Sequence, residues 1–214
     1  MAEITFWFEF ASTYSYLSAM RIEEVAGDAG VSIVWKPFLL GPIFKQQGWE
    51  TSPFNLYPAK GKYMIRDMER IAKSRGLAFR PPNPFPQNSL QAARLALVGL
   101  DEGWGPAFIK GVYRAEFAEG RDIASVERLA RELEAAGAIP EEAFRRAQSD
   151  EIKARLRANT EAAQAAGIFG APSFTTGTGE LFWGDDRLEQ ALAWSRQSRA
   201  ASVIPETPKR YPGS

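Results

Sequence analysis

The chain opens on an apolar run, Ile4-Thr5-Phe6-Trp7-Phe8-Glu9-Phe10, whose aromatic and β-branched residues predict a strand over 3–10. Helical spacing of apolar positions follows over 13–29. Then Val31, Ile33 and Trp35 alternate with their neighbours and predict a second strand over 31–38. The stretch from Leu40 to Pro58 is rich in proline, glycine and polar residues and reads as a loop. Helical periodicity dominates from there to residue 166. Pro58 suits a first helical turn, with Tyr63, Met64, Met68, Ile71 and Ala72 on the apolar face behind it. Prolines at 81, 82, 84 and 86 exclude regular structure from 79–86. Further helices are predicted over 87–102, 105–118, 125–136, 141–148 and 150–166. Ser125 and Ser149 suit N-caps, and Gly137 and Gly167 suit C-terminal positions. Strand patterning returns at 172–176 and 180–183, joined through Gly177-Thr178-Gly179 as a hairpin. A last helix starts at Asp185 or Asp186, with Leu188 and Leu192 on one face. From Ser195 the chain is polar and reads as a loosely held tail.

The order βαβ, helices, ββα predicts an α/β chain with a thioredoxin-like fold interrupted by an all-helical insertion. Residues 1–56 and 167–195 would form the discontinuous thioredoxin-like domain, 57–166 the helical domain, and 196–214 the tail. In such folds a cis-proline loop faces the N-terminus of the first helix. Ala171-Pro172 stands at that place, and the exposed backbone of Ala171 would pair with an extended ligand as an added strand does.

Charge and composition narrow the function. Lys+Arg and Asp+Glu are each 26, so the formal net charge is zero, which argues against a nucleic-acid or membrane-surface role resting on bulk charge. No window approaches the roughly 20 apolar residues of a membrane span. Met-Ala-Glu leads directly into the first strand without a signal-peptide pattern, so a cytoplasmic protein is expected. Absent cysteine excludes disulfide exchange by the chain itself. Absent histidine removes Ser-His-Asp triads and almost every zinc site, so no metal is expected. A near-neutral side-chain base is lacking unless another group is strongly shifted.

Ser12-Thr13-Tyr14-Ser15 lies between the first strand and the first helix. It sets two hydroxyls where a thioredoxin-type oxidoreductase carries Cys-x-x-Cys. Ser12 reads either as an N-cap alone or as a cap whose hydroxyl also stabilises a thiolate brought in by a cofactor.

Four motifs then carry a family resemblance. Phe8-Glu9-Phe10-Ala11-Ser12-Thr13-Tyr14-Ser15-Tyr16-Leu17 resembles the N-terminal motif of the 2-hydroxychromene-2-carboxylate isomerases, relatives of the kappa-class glutathione transferases. Phe169-Gly170-Ala171-Pro172-Ser173-Phe174 and Leu181-Phe182-Trp183-Gly184-Asp185-Asp186-Arg187-Leu188 resemble that family's two C-terminal motifs. Tyr57-Pro58-Ala59-Lys60-Gly61-Lys62-Tyr63-Met64 is similar to the segment opening its helical domain.

The resemblance implies glutathione as cofactor, with Ser12 donating to its sulfur and Ala171 and Pro172 holding its backbone. Trp183 and Gly184 would lie alongside, Asp186 would accept from the γ-glutamyl ammonium, and Asp185 would hold the carboxylate side with neighbouring amides. Asp186 with Glu189 also reads as a capping box. Lys60 becomes a candidate for the glycyl carboxylate or an acidic substrate, whereas Lys62 and Arg66 read as exposed. Thr13 stands where the family usually has proline. A second subsite would draw on Leu39, Phe44, Asn55, Phe85 and Asn88, and Lys45 is similar to a position near a substrate-carboxylate lysine. Trp7, Trp35 and Trp104 suit the core.

The implied activity is glutathione-dependent cis-trans isomerisation of 2-hydroxychromene-2-carboxylate-type aromatic 2-oxo acids, as in aromatic compound degradation, by reversible thiolate addition. A kappa-like glutathione transferase conjugating small electrophiles is the alternative, and a non-catalytic binder is a third reading. The partner would be a small aromatic carboxylate, and the assembly a homodimer.

Overall fold

Strand β1 (Ala2–Phe8) lies inside a four-stranded sheet of order β2-β1-β3-β4. The structure is a computed structural model describing residues 2–49 and 52–203, with side chains described except at 53, 55 and 198–203. β2 (Val31–Pro37) runs parallel to β1, with Phe6 opposite Trp35. β3 (Ser173–Thr176) runs antiparallel on the other side, with Phe6 opposite Phe174, and β4 (Leu181–Trp183) completes the hairpin. A parallel neighbour demands a crossover, which leaves both faces of β1 covered and explains its burial at Phe6, Trp7 and Phe8 in succession. One face packs Phe6 on Phe8 and Phe174 at centroid distances of 5.4 and 5.5 Å. Each such fully buried ring is worth about 1.5–3 kcal/mol of apolar transfer. The other face sets Trp7 against Phe38, Ile43, Ala163 and Ile168.

The crossover is two helices, α1 (Thr13–Ala19) and α2 (Ile22–Ala29), where the periodicity predicts one. The break falls at Arg21, whose guanidinium reaches Asp185 and Glu189 near the far end of the chain. The segment expected as a loop contains α3 (Leu40–Gln46) and α4 (Pro53–Leu56). Pro42 sits in the first turn of α3, where a missing N–H is tolerated.

The helical stretch runs through α5 (Pro58–Ser74), α6 (Leu90–Glu102) and α7 (Gly105–Tyr113). It continues with a π-helical turn (Arg114–Ala118), α8 (Val126–Ala135), α9 (Pro140–Ala147) and α10 (Asp150–Ala165). Ser125 and Ser149 cap α8 and α10 through their hydroxyls, as their positions predict. After the hairpin, a short 3₁₀ turn (Asp185–Arg187) leads into α11 (Leu188–Val203), which packs against β1. α11 runs beyond the point where the polar sequence suggests a tail. Ser195 is buried there and donates to the Glu3 carbonyl at 2.8 Å. The remainder of the expected tail, 204–214, lies outside the described residues.

Candidate functional site

Ser12 caps α1 from extended backbone, φ −99° and ψ 114°, and its Oγ accepts the Ser15 N–H at 3.3 Å. The same hydroxyl donates to the carbonyl oxygen of Ala171 at 2.8 Å. The loop before β3 and the start of α1 therefore meet through one bond. The Ala171-Pro172 peptide is cis. Ser12 is 9% exposed, and its single proton lies on Ala171. A sulfur anion entering here would compete with that carbonyl for the hydroxyl.

Beyond β4, Gly184 takes φ 108°, a conformation glycine alone adopts without strain, and its N–H donates to the Pro172 carbonyl at 3.0 Å. That turn brings 183–186 alongside the cis-proline loop. A Cβ at Gly170 would lie 2.4 Å from Trp183 Nε1, so the indole rests directly on the backbone there. Trp183 is half exposed and leans on Phe169, with ring centroids 4.8 Å apart.

The two aspartates have different surroundings. Asp185 is 4% exposed and accepts from Ser18 Oγ at 2.9 Å, Arg21 Nε at 3.3 Å and Arg75 Nη2 at 2.7 Å. Its carboxylate is thus spent on holding α1 and α5 to the start of α11. Asp186 points outward and pairs with Arg187 at 3.3 Å. Glu189 accepts from Arg21 rather than closing a capping box.

These residues share one cleft of about 1060 Å³. Ser12, Ala171, Pro172 and 183–186 line one end, and Lys60 enters from α5 with its Nζ 4.8 Å from the Tyr57 ring centroid. Leu39, Phe44, Phe85 and Asn88 line the remainder. Lys45 sits exposed in the last turn of α3, outside that lining, and the Asn55 side chain lies outside the described residues. Lys62 and Arg66 are exposed, and Arg66 pairs with Glu69. Trp7 is buried, whereas Trp35 and Trp104 are only partly so. Among the described residues, no helix is long and apolar enough to cross a membrane, and no cluster of acidic residues is placed to hold a metal ion.

Tyr14 and Glu9 are among the lining residues that the sequence does not mark out. Tyr14 donates to Asp67 Oδ2 at 2.9 Å, tying α1 to α5. Burial, reinforced by that carboxylate, holds its phenol well above the usual range. Glu9 lies just past β1, 6% exposed, and its carboxyl is pushed up to about 7 because burial outweighs its hydrogen bonds from Ser89 and the Ala11 N–H. Nothing in the local sequence around Glu9 signals that shift, because the burial that causes it is tertiary.

Comparison with known proteins agrees with this architecture. The family model described as DSBA-like thioredoxin domain matches residues 3–193. The chain is 28% identical over 188 residues to a 2-hydroxychromene-2-carboxylate isomerase of Sphingobium xenophagum, covering 87% of this chain and 94% of that one. It is 29% identical over 206 residues to glutathione S-transferase kappa 2 of Caenorhabditis elegans, covering 87% and 88%. A solved 2-hydroxychromene-2-carboxylate isomerase superposes with a TM-score of 0.80 at 25% identity, covering 94% of this chain and all of that one. A strand–helix–strand start, a hairpin end, a helical stretch between them and a family match over nearly the whole length place this chain in the DsbA-like thioredoxin family.

Proposed function

We propose that this chain is a glutathione-dependent isomerase acting on 2-hydroxychromene-2-carboxylate-type aromatic 2-oxo acids. The observation that carries the reading is the Ser12 hydroxyl donating to Ala171 inside a large cleft, in a chain whose relatives bear isomerase and kappa-transferase names. The residues present fit the cofactor. A hydroxyl donor sits at one point of the cleft, a cation and an outward carboxylate at others, and the cavity is at or above the upper end of ordinary small-molecule sites, about 300–1,000 Å³. Bound glutathione would supply a thiolate that adds reversibly to a conjugated double bond, so that rotation precedes elimination.

The chain's own groups then have distinct tasks. Ser12 turns its proton from Ala171 to the sulfur and lowers the thiol's pKa. Asp186 accepts from the γ-glutamyl ammonium, and Lys60 meets a carboxylate. Ala171 and Pro172 offer backbone, while Trp183 and Gly184 form the neighbouring wall. Asp185 acts through the arginines it holds. The apolar wall of Leu39, Phe44 and Phe85 takes the aromatic ring and excludes water. In this reading residues 1–56 and 167–195 form the discontinuous thioredoxin-like domain that holds most of the cofactor, and the electrophile's wall is shared between Leu39 and Phe44 of that domain and Phe85 of the helical domain, 57–166. A homodimer in the cytoplasm accompanies it, the dimer checked by light scattering.

One observation favours a second reading, a kappa-like glutathione transferase. Among the described residues lining the cleft, Lys60 is the sole cation, against Glu9, Asp67, Asp185 and Asp186. Once Lys60 has met glutathione's own carboxylate, an anionic electrophile finds little counter-charge. Product analysis decides between them. Isomer formed with free glutathione regenerated supports the isomerase, and a stable thioether supports the transferase. No saturable glutathione binding by calorimetry refutes both.

A further inference from the structure

A chain without histidine or cysteine must still find somewhere to put the proton of an incoming thiol. The wall of the cleft beside Ser12 holds one candidate. Glu9 and Ala11 both line the cleft, and the Ser12 N–H donates to the Glu9 carbonyl at 3.1 Å. The Glu9 carboxyl is nearly buried and receives the Ser89 hydroxyl and the Ala11 amide. Behind it, the Tyr113 hydroxyl donates to the Glu9 carbonyl at 3.0 Å. The π-helical turn after α7 adds Glu116, fully buried, with no hydrogen-bond partner for either carboxyl oxygen among the described residues. Burial first, then the charges of Glu9 and Asp122, hold Glu116 well above the usual carboxylate range. Of these two carboxyls, Glu9 lines the cleft and Glu116 does not.

We propose that Glu9 is the proton acceptor for the thiol bound at Ser12, an assignment that rests on the glutathione reading above. The S–H bond breaks, the electron pair stays on sulfur, and the proton moves to the Glu9 carboxylate. The reverse transfer restores the thiol when the cofactor leaves, and no other reactant is needed. Burial makes this possible, since a carboxyl held up to about 7 is a far better match for a thiol near 8.5 than an exposed one.

The test counts protons. Glutathione is titrated into the full-length protein by calorimetry in buffers of different ionisation heat, and the ultraviolet absorbance of bound thiolate is followed in parallel. With Glu9 as acceptor, thiolate forms while proton release falls from about one per site to near zero as the pH rises through about 7. Release that instead stays near one until the free thiol itself ionises, at about 8.5, overturns the assignment. Glu9→Gln keeps an oxygen for the Ser89 hydroxyl and should release about one proton across that range. A variant whose proton count matches the parent also overturns it. If Glu9→Gln fails to fold, the pH profile of the parent protein alone decides. Absence of saturable heat with the parent brings down the glutathione reading and this one together, which separates that failure from the failure of Glu9 alone.

Discussion

Ser12 Oγ donates to the carbonyl oxygen of Ala171 at 2.8 Å while accepting the Ser15 amide at 3.3 Å, so one side chain caps a helix and ties it to the cis-proline loop. Replacement by alanine removes both. Ser12→Ala is expected to lose about 1–2 kcal/mol of stability by chemical denaturation. Its glutathione-dependent turnover should fall about 10²–10³-fold, as when an anion-stabilising donor is removed. Loss of stability with turnover unchanged would confine Ser12 to capping.

Asp185 and Asp186 are adjacent and should respond in opposite ways. Asp185→Ala leaves Arg21 and Arg75 without their shared carboxylate, and removing one partner of a buried ion pair costs about 3 kcal/mol or more. Its melting temperature should drop. Asp186→Ala touches an exposed side chain and should melt as the parent does. Its glutathione affinity should fall roughly tenfold, the worth of one charge-assisted contact.

Gly170→Ala places a methyl 2.4 Å from the Trp183 indole nitrogen. Trp183 is half exposed and can swing aside, so stability should change by less than about 1 kcal/mol. The displaced ring should weaken glutathione binding and alter the quenching of tryptophan fluorescence by the ligand. An unchanged quenching curve would show that Trp183 does not border the cofactor.

Lys60 and Lys45 separate cleft from surface. Lys60→Met should raise KM several-fold, more so at low ionic strength. Lys45→Met should leave KM within twofold, because Lys45 lies outside the cleft lining. The reverse ranking would place the substrate at the end of α3.

Glu9 and Glu116 make stability depend on pH in a direction opposite to ordinary carboxylates. Both are raised in the folded protein, so below 4.5 they cost nothing. As the pH rises from 4.5 through about 7, the unfolded chain ionises first and gains. Glu9 alone should remove about 3 kcal/mol of stability over that interval, and Glu116 acts in the same direction. Urea midpoints should fall across it, and Glu116→Gln should flatten the decline.

Local signals in the chain were sufficient for much of this. The alternation of Val31, Ile33 and Trp35, the caps at Ser125 and Ser149, and the hairpin around Gly177–Gly179 all act within a few residues, and all appear as read. What local reading missed was fixed from a distance. The break between α1 and α2 follows Arg21, whose partners lie 164 and 168 residues away. Glu9 continues an apolar strand, and it is held there by Ser89 and Tyr113, supplied by the helical stretch. α3 hides behind Gly41 and Pro42, residues that ordinarily mark loops. α11 runs past Ser195, which finds the Glu3 carbonyl, a distant partner that a polar sequence does not announce.

The register of β1 against β3 pairs Ile4 with Thr176, so one of the two inner strands waits for a partner made toward the opposite end of the chain. Closing so wide a span before any reward is gained makes such topologies slow to reach their native state. A nascent polypeptide halted after α9 would own a complete first half and nothing to complete it with, and competence would arrive in a single late event rather than by degrees.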